Sequence, residues 1–442
     1  MKTTSRTTRR AASTLALLTL VAAPLTTVVS TSTTASARPS ERRVTVERLH
    51  HLGTTPFEKN ALVRTTEGVA IAAWPTGSRA DGARDSLVVA LRRPHHGWTR
   101  PHRIGFTLGI STPALAPLPG GRAVVAWRTW GGAAATRIWL PRSGWQETHV
   151  LSGQADMAGP TLASDVFART WAVGRLDTNP DTQLPQVVLE VHHRGGAGRD
   201  IALGGDAAPC SPTPGSLAMD DRGEIAASWS YFCSSDVVER WAATVPADGG
   251  APVTEQLAAC DFGACDLALH ILRTPTGFVG FGTVDTTSGH STATWEQDGS
   301  GHWIMEASTH RFIRRTPAIN RRGALVSCVS PAHRRIEVRL PGGAWHPIRI
   351  PAVRVEGCAV DGNGLVALIG TRDVRHHPLV LVWGNLHAAA LTHVVRLRPE
   401  HAHYGSYPQV VLSDRGLLTA LVASFGSNGQ PQLGLSAARA QL

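Results

Sequence analysis

The sequence predicts an all-β chain made of one structural unit repeated along its length. Three observations lead there. The stretch GRAVVAW at Gly121–Trp127 has two close copies, GVAIAAW at Gly68–Trp74 and GEIAASW at Gly223–Trp229. Looser copies begin at Ala168, Gly277, Gly323, Gly364 and Gly416, which sets a period of about fifty residues. Beyond the N-terminal segment, no stretch carries the 3.6-residue apolar periodicity of a helix.

In chain order, the first element is not part of the fold. MKTTSRTTRR is basic, Leu15–Val29 is apolar, and Ala35-Ser36-Ala37 supplies small residues at a cleavage position. That order reads as a secretory signal peptide over residues 1–37, with residues 38–442 as the mature domain. The apolar run is interrupted by Pro24, Thr26 and Thr27 and falls short of the ~20 residues a membrane span needs. Cleavage would remove Lys2, Arg6, Arg9 and Arg10 and lower the formal charge from +10 to +6. Lys59 would be the sole remaining lysine, so the positive charge is arginine. Export argues against a nucleic-acid partner and towards anionic polymers, acidic glycans or lipid head groups.

Each repeat then holds four strands. A short apolar strand and a turn precede the glycine, as in SLAMDDRG at Ser216–Gly223 and GCAVDGNG at Gly357–Gly364. Asp, Asn and Gly form such turns. The second strand is apolar throughout, as expected of a strand covered on both faces. A third strand follows a polar loop, as in SLVVALRR from Ser86. A turn ending in Gly-Trp or a variant (Trp98, Trp145, Trp303, Trp345) leads to a fourth strand. Four-stranded repeats of this length read as propeller blades. Eight repeats predict eight four-stranded blades, with seven as the alternative. The last repeat is one strand short, and Val44–His50 is a spare strand before the first. Pairing the two would close the ring and remove the open edges of an array.

On these repeats the chain resembles the secreted bacterial β-propeller repeat proteins, over about residues 43–442. The resemblance implies architecture and no particular chemistry. The sialidase-type Asp-box, Ser-x-Asp-x-Gly-x-Thr-Trp, has its nearest match at Glu296–Trp303, which keeps Asp298 and Trp303 and lacks the rest. In propellers, ligands gather on the face carrying second-to-third-strand loops and interblade connections. Four segments there are rich in Arg, His and Tyr: Arg311, Arg314 and Arg315; His333, Arg334 and Arg335; Arg372, Asp373, Arg375, His376 and His377; Tyr404 and Tyr407. Guanidinium groups in that number suit a carboxylate or phosphate. Trp74, Trp127 and Trp229 are expected to pack between blades, and Trp130, Tyr231 and Phe232 to stack on sugars.

Six cysteines in an exported chain imply disulfides, expected as Cys210–Cys233, Cys260–Cys265 and Cys328–Cys358. No zinc spacing occurs, and no metal or cofactor is implied. Catalytic residues are not named by the sequence. Asp177, Asp181, Asp285 and Asp373 are the loop carboxylates that a glycosidase could recruit. The leading expectation is an exported, monomeric binding or scaffold propeller that recognises a glycan, an anionic wall polymer or a protein. The alternative is a secreted glycoside hydrolase or lyase acting on an acidic saccharide.

Overall fold

The structure, a computed structural model, describes residues 44–52, 60–76, 84–108, 111–155, 159–165, 167, 169–193, 196–204, 210–232, 237–261, 269–286, 289–307, 317–328, 334–372, 378–397, 403–404, 408–425 and 433–442. The expected signal segment lies outside them. Every regular element among the described residues is a strand, and none is a helix long and apolar enough to cross a membrane.

Every copy of the sequence repeat falls on a strand with an antiparallel neighbour on each side. Examples are Ala70–Thr76, Ala123–Arg128, Ile225–Phe232 and Leu365–Arg372. The turn before such a strand is held by a polar side chain. Asp220 Oδ1 accepts from the amides of Arg222 (2.9 Å) and Glu224 (2.8 Å). Asn320 Oδ1 does the same for Arg322 (3.0 Å) and Ala324 (2.9 Å), and Asp361 Oδ1 for Asn363 and Leu365 (both 2.8 Å). These are Asx turns closed by a residue in the left-handed region, which is why Gly223 (φ 95°) and Gly364 (φ 83°) are glycines.

The sheets pack face to face. Trp127 sits with Leu87, Val89 and Ile104 of the preceding sheet. Trp229 and Tyr231 pack with Ala172 and Leu189, and Trp295 with Ala226 and Ala242. The circle closes from last sheet to first, where Leu421 joins Trp74 and Val88. Trp74, Trp127 and Trp229 are accordingly buried. Val44–Leu52 pairs with Leu433–Gln441, so the spare N-terminal strand completes the last sheet. This closed ring of sheets is a β-propeller.

The blade count differs from the expected eight, and from the alternative of seven. Six sheets have the size of one blade, five with four strands and one with five, and a single nine-stranded sheet spans Ala114 to Ala202. The fusion has a local cause. Gln154, ending His149–Gln154, pairs with Ala133 in its own repeat and with Leu176 in the next. Gly153 permits the approach: a Cβ there would lie 2.4 Å from the Leu176 carbonyl oxygen, and φ is 75°. Gly144 has a similar φ of 78° with nothing near its missing Cβ. Gly144→Ala is therefore expected to cost about 1 kcal/mol, the backbone term alone. Gly153→Ala should cost about 2 kcal/mol or more, because the collision is with backbone. Denaturant unfolding of the two variants measures the difference.

Of the expected disulfides, Cys328–Cys358 is present, with Cα atoms 5.2 Å apart. Cys210 is disulfide-bonded. Cys233 and Cys265 lie outside the described residues, and Cys260 ends up on the strand Val253–Asp261.

Candidate functional site

Most of the expected basic arc lies outside the described residues: Arg311, Arg314, Arg315, His333, Asp373, Arg375, His376, His377 and Tyr407. Arg334 and Arg335 stand exposed at the head of Arg335–Arg339, where Arg335 Nε lies 3.4 Å from Glu337 Oε1. Arg372 ends Leu365–Arg372 on the next sheet, also exposed. Tyr404 lies on His403–Tyr404, opposite Ser424. Among the described residues no ion pair or hydrogen bond joins Arg334, Arg335 and Arg372. Of the loop carboxylates, Asp177 is held by Arg175 at 2.6 Å, and the fully buried Arg175 also binds Asp200 at 2.7 Å. Asp181 sits in an exposed turn whose amide bonds to Asn179 Oδ1. Asp285 pairs with His290 in a hairpin, and Asp373 is outside the described residues.

The described residues do bring one group together at the same end of the propeller. The second strand Ala123–Arg128 stops at Arg128, and a tight turn follows. The Thr129 amide donates to Ala133 O (2.8 Å) and the Gly132 amide to Thr129 O (3.0 Å). Trp130 sits at the tip of this turn and is 54% exposed. The fourth strand of the preceding repeat, His102–Leu108, braces it. Thr107 Oγ1 donates to Arg128 O (2.8 Å), Trp127 Nε1 donates to Phe106 O (3.2 Å), and Thr107 forms a bridge to Thr129. Gly105 makes this possible, since a Cβ there would lie 2.9 Å from the Trp127 ring.

On that brace Phe106 carries two guanidinium groups. Arg84, heading Arg84–Arg92, lies 3.9 Å from the ring centroid and 5.9 Å from that of Trp130. Arg103 lies 4.9 Å from the Phe106 centroid. The result is a cationic, aromatic surface whose outermost ring faces solvent. Cations over ring faces are held by the ring quadrupole, which fixes long arginines at little hydration cost. Sequence reasoning singled out Trp130 and missed Arg84, Phe106 and Arg103. The signal available was positional, since Arg84 and Phe106 sit near the same end of their hairpin and Arg103 lies on the same strand as Phe106. Tyr231 does not join them: it is buried, with its hydroxyl donating to Gly204 O.

Two further polar groups stand apart from this surface. In the Asp-box-like turn, Asp298 Oδ1 accepts from Ser300 N (2.8 Å), Ser300 Oγ (2.7 Å) and His302 N (3.0 Å). The Ser300 hydroxyl, with those amides, holds the Asp298 carboxyl below its usual range. Its work is to shape the turn. The second group lies towards the opposite end of the propeller. There the Glu190 carboxylate is shared by His192 (2.8 Å) and His149 (3.4 Å), and Trp171 stacks on His192 at 3.9 Å.

Burial pushes the Glu190 carboxyl up. The hydrogen bond from His192 and the charges of His192 and His149 together outweigh it, so the group titrates low. A carboxyl held low adds stability above its unfolded pKa and loses it as pH falls through the folded value. The window thus lies below pH 4.5. Glu190→Gln is expected to flatten the acid side of a melting-temperature profile in that window.

No family model and no curated protein sequence matches the chain. Several solved structures are similar in fold. The BP39L lectin from Burkholderia pseudomallei is 12% identical, with 85% of this chain and 94% of the lectin covered and a TM-score of 0.46. The polysaccharide lyase Uly1 is 8% identical over 89% of this chain and 92% of its own, also at 0.46. A Trypanosoma rangeli sialidase, solved with sialic acid, is 10% identical over 90% of this chain, with a TM-score of 0.41. The chain spans 58% of that sialidase's length.

Proposed function

We propose that this chain is an exported binding propeller that recognises a glycan through the Trp130 surface. The observation that carries the reading is the exposed indole of Trp130 beside Arg84 and Phe106, on a turn braced by a neighbouring strand. A flat aromatic face suits the apolar face of a sugar ring, and guanidinium groups beside it suit a carboxylate on that sugar. Rigid backbone support limits the ordering cost of binding. Export is supported by the sequence pattern of residues 1–37.

The alternative, a glycoside hydrolase or lyase, draws less support. Asp177 is committed to Arg175, and the contacts described around Trp130 are made by arginine and aromatic side chains. The test is a glycan array probed with the mature chain and with its Trp130→Ala variant. Binding of acidic glycans that is lost in the variant supports the reading. Retention of the same glycans at the same strength by the variant refutes it.

A further inference from the structure

We infer that Arg128 is the residue by which the Trp130 surface selects an acidic sugar: its guanidinium receives the carboxylate or sulfate group of a sugar lying across the turn. This deepens the glycan-binding reading and rests on it. Arg128 is the last residue of Ala123–Arg128 and stands two positions before Trp130, so their Cα atoms lie within about 7 Å. The residue is half-buried, and its Nε and Nη1 are shut off from solvent with no hydrogen-bond partner. Among the described residues, no ion pair or hydrogen bond reaches its side chain. Nη2 is the donor left open.

The strand fixes which way this cation points. Trp127 packs on the preceding repeat, so the next residue leaves the opposite face of the strand. The pairing agrees. Arg128 stands opposite Ala134, which packs with Val124, Ala126, Trp171 and Val173 in the seam towards the following repeat. By the same alternation Arg175 shares the face of Trp171 and Val173. That side chain is fully buried, and two carboxylates offset its charge, Asp177 at 2.6 Å and Asp200 at 2.7 Å. Arg128 lies in the same seam and has no such pair among the described residues. Gly132, at a φ of 91°, leaves room for it, since a Cβ there would lie 3.6 Å from Arg128 Nη2. The Ala155 amide donates to Gly132 O at 2.9 Å and ties the turn down.

A guanidinium taken partly out of water without a counter-charge is costly, and such a group in a native fold calls for an explanation. A ligand that supplies the counter-charge is one. The cation is delocalised over the whole guanidinium, so an anion at Nη2 offsets the charge on the two shielded nitrogens as well. Because the group is partly dry, salt screens that attraction less than it would at an exposed arginine. Trp130 offers its ring to the apolar face of the sugar, and the acid group turns down the other side of the turn to Arg128. A neutral sugar makes the first contact and not the second.

The experiment follows the Arg128 Nε–H and Trp130 indole signals of the nitrogen-labelled protein, identified by their absence from Arg128→Lys and Trp130→Phe. The probes are sodium glucuronate, glucose sulfate and glucose at constant ionic strength. Each is taken to about 50 mM, above the millimolar range of a single-sugar contact. Glucuronate or glucose sulfate is expected to move both signals with one Kd, and glucose to move Trp130 alone. A response to glucuronate alone marks a carboxylate site, to the sulfate alone a sulfate site, and to both a site for either acid. Arg128→Gln should weaken the acid at least about 10-fold, read from Trp130, and leave glucose within about twofold. The same variant should melt no lower than the wild type, because the cation it removes has no partner to lose. A midpoint lowered by several degrees would make Arg128 a packing residue and overturn the inference, and so would undiminished acid affinity in the variant. An acidic sugar that moves Trp130 and leaves Arg128 in place overturns the inference and keeps the glycan-binding reading. Movement of Arg128 alone, or of neither signal with any probe, overturns both.

Discussion

A chain cut back to begin at residue 53 is expected to lose most of its stability and to self-associate. The removed strand, Val44–Leu52, pairs with Leu433–Gln441 at eight register positions. At ~0.5–1.5 kcal/mol net per hydrogen bond, that ladder is worth several kcal/mol. The whole margin of a folded domain is only ~5–15 kcal/mol. Removal also exposes the full length of Leu433–Gln441 as an unpaired edge, and its sequence LGLSAARAQ has one charge to discourage pairing with another copy. Size-exclusion chromatography and thermal unfolding measure both effects. The truncated chain should elute as larger species and melt at a lower temperature. A monomer with the full-length melting point would show that the closing strand does little.

Trp130→Ala is expected to weaken glycan binding by about 10- to 30-fold, roughly 1.4–2 kcal/mol, the scale of an aromatic anchor at a binding site. Stability should stay within about 0.5 kcal/mol of wild type, because the indole is 54% exposed and Trp127 supplies the packing. Arg84→Ala acts differently. It removes the cation over Phe106 and should weaken acidic glycans more than neutral ones, with a smaller dependence on salt. Surface plasmon resonance at two salt concentrations separates the two contributions. Equal losses for acidic and neutral sugars in Arg84→Ala would mean that Arg84 only positions the rings.

Much of the scaffold was legible in the sequence because it rests on local chemistry. The turn glycines, the Asp and Asn that close several of the turns, and the apolar second strands recur along the chain, and each has a local physical cause. Ring closure could be read because one repeat lacks a strand and the N-terminus has one to spare. Cys328–Cys358 followed from the position of both residues on neighbouring sheets. The blade count was not legible. It depends on Gln154 pairing in two directions, and that depends on how closely Gly153 approaches the Leu176 carbonyl. A lone glycine in LSGQ does not reveal which backbone it will meet.

The site was legible in part for a similar reason. Trp130 and Tyr231 both follow a strand-ending tryptophan. In one repeat the strand stops at Arg128 and Trp130 is carried out on the turn. In the other, Ile225–Phe232 continues, so Tyr231 stays in the ladder opposite Glu239 and packs edge-on against Trp241 at 6.2 Å. Where a hairpin ends decides which ring is offered to solvent, and strand ends are set by pairing. Arg84, Arg103 and Phe106 come from a different hairpin than Trp130, so only the fold brings them to one place.

The most direct test of the glycan-binding account is the indole N–H spectrum of the uniformly nitrogen-labelled protein. The chain has 13 tryptophans, and the Trp130 signal is identified by its absence from a Trp130→Phe variant. Titration with an acidic oligosaccharide selected on the array is expected to shift the Trp130 signal first and furthest, while the buried Trp74, Trp127 and Trp229 hold their positions. A saturating titration that moves other indoles and leaves Trp130 in place would contradict the account.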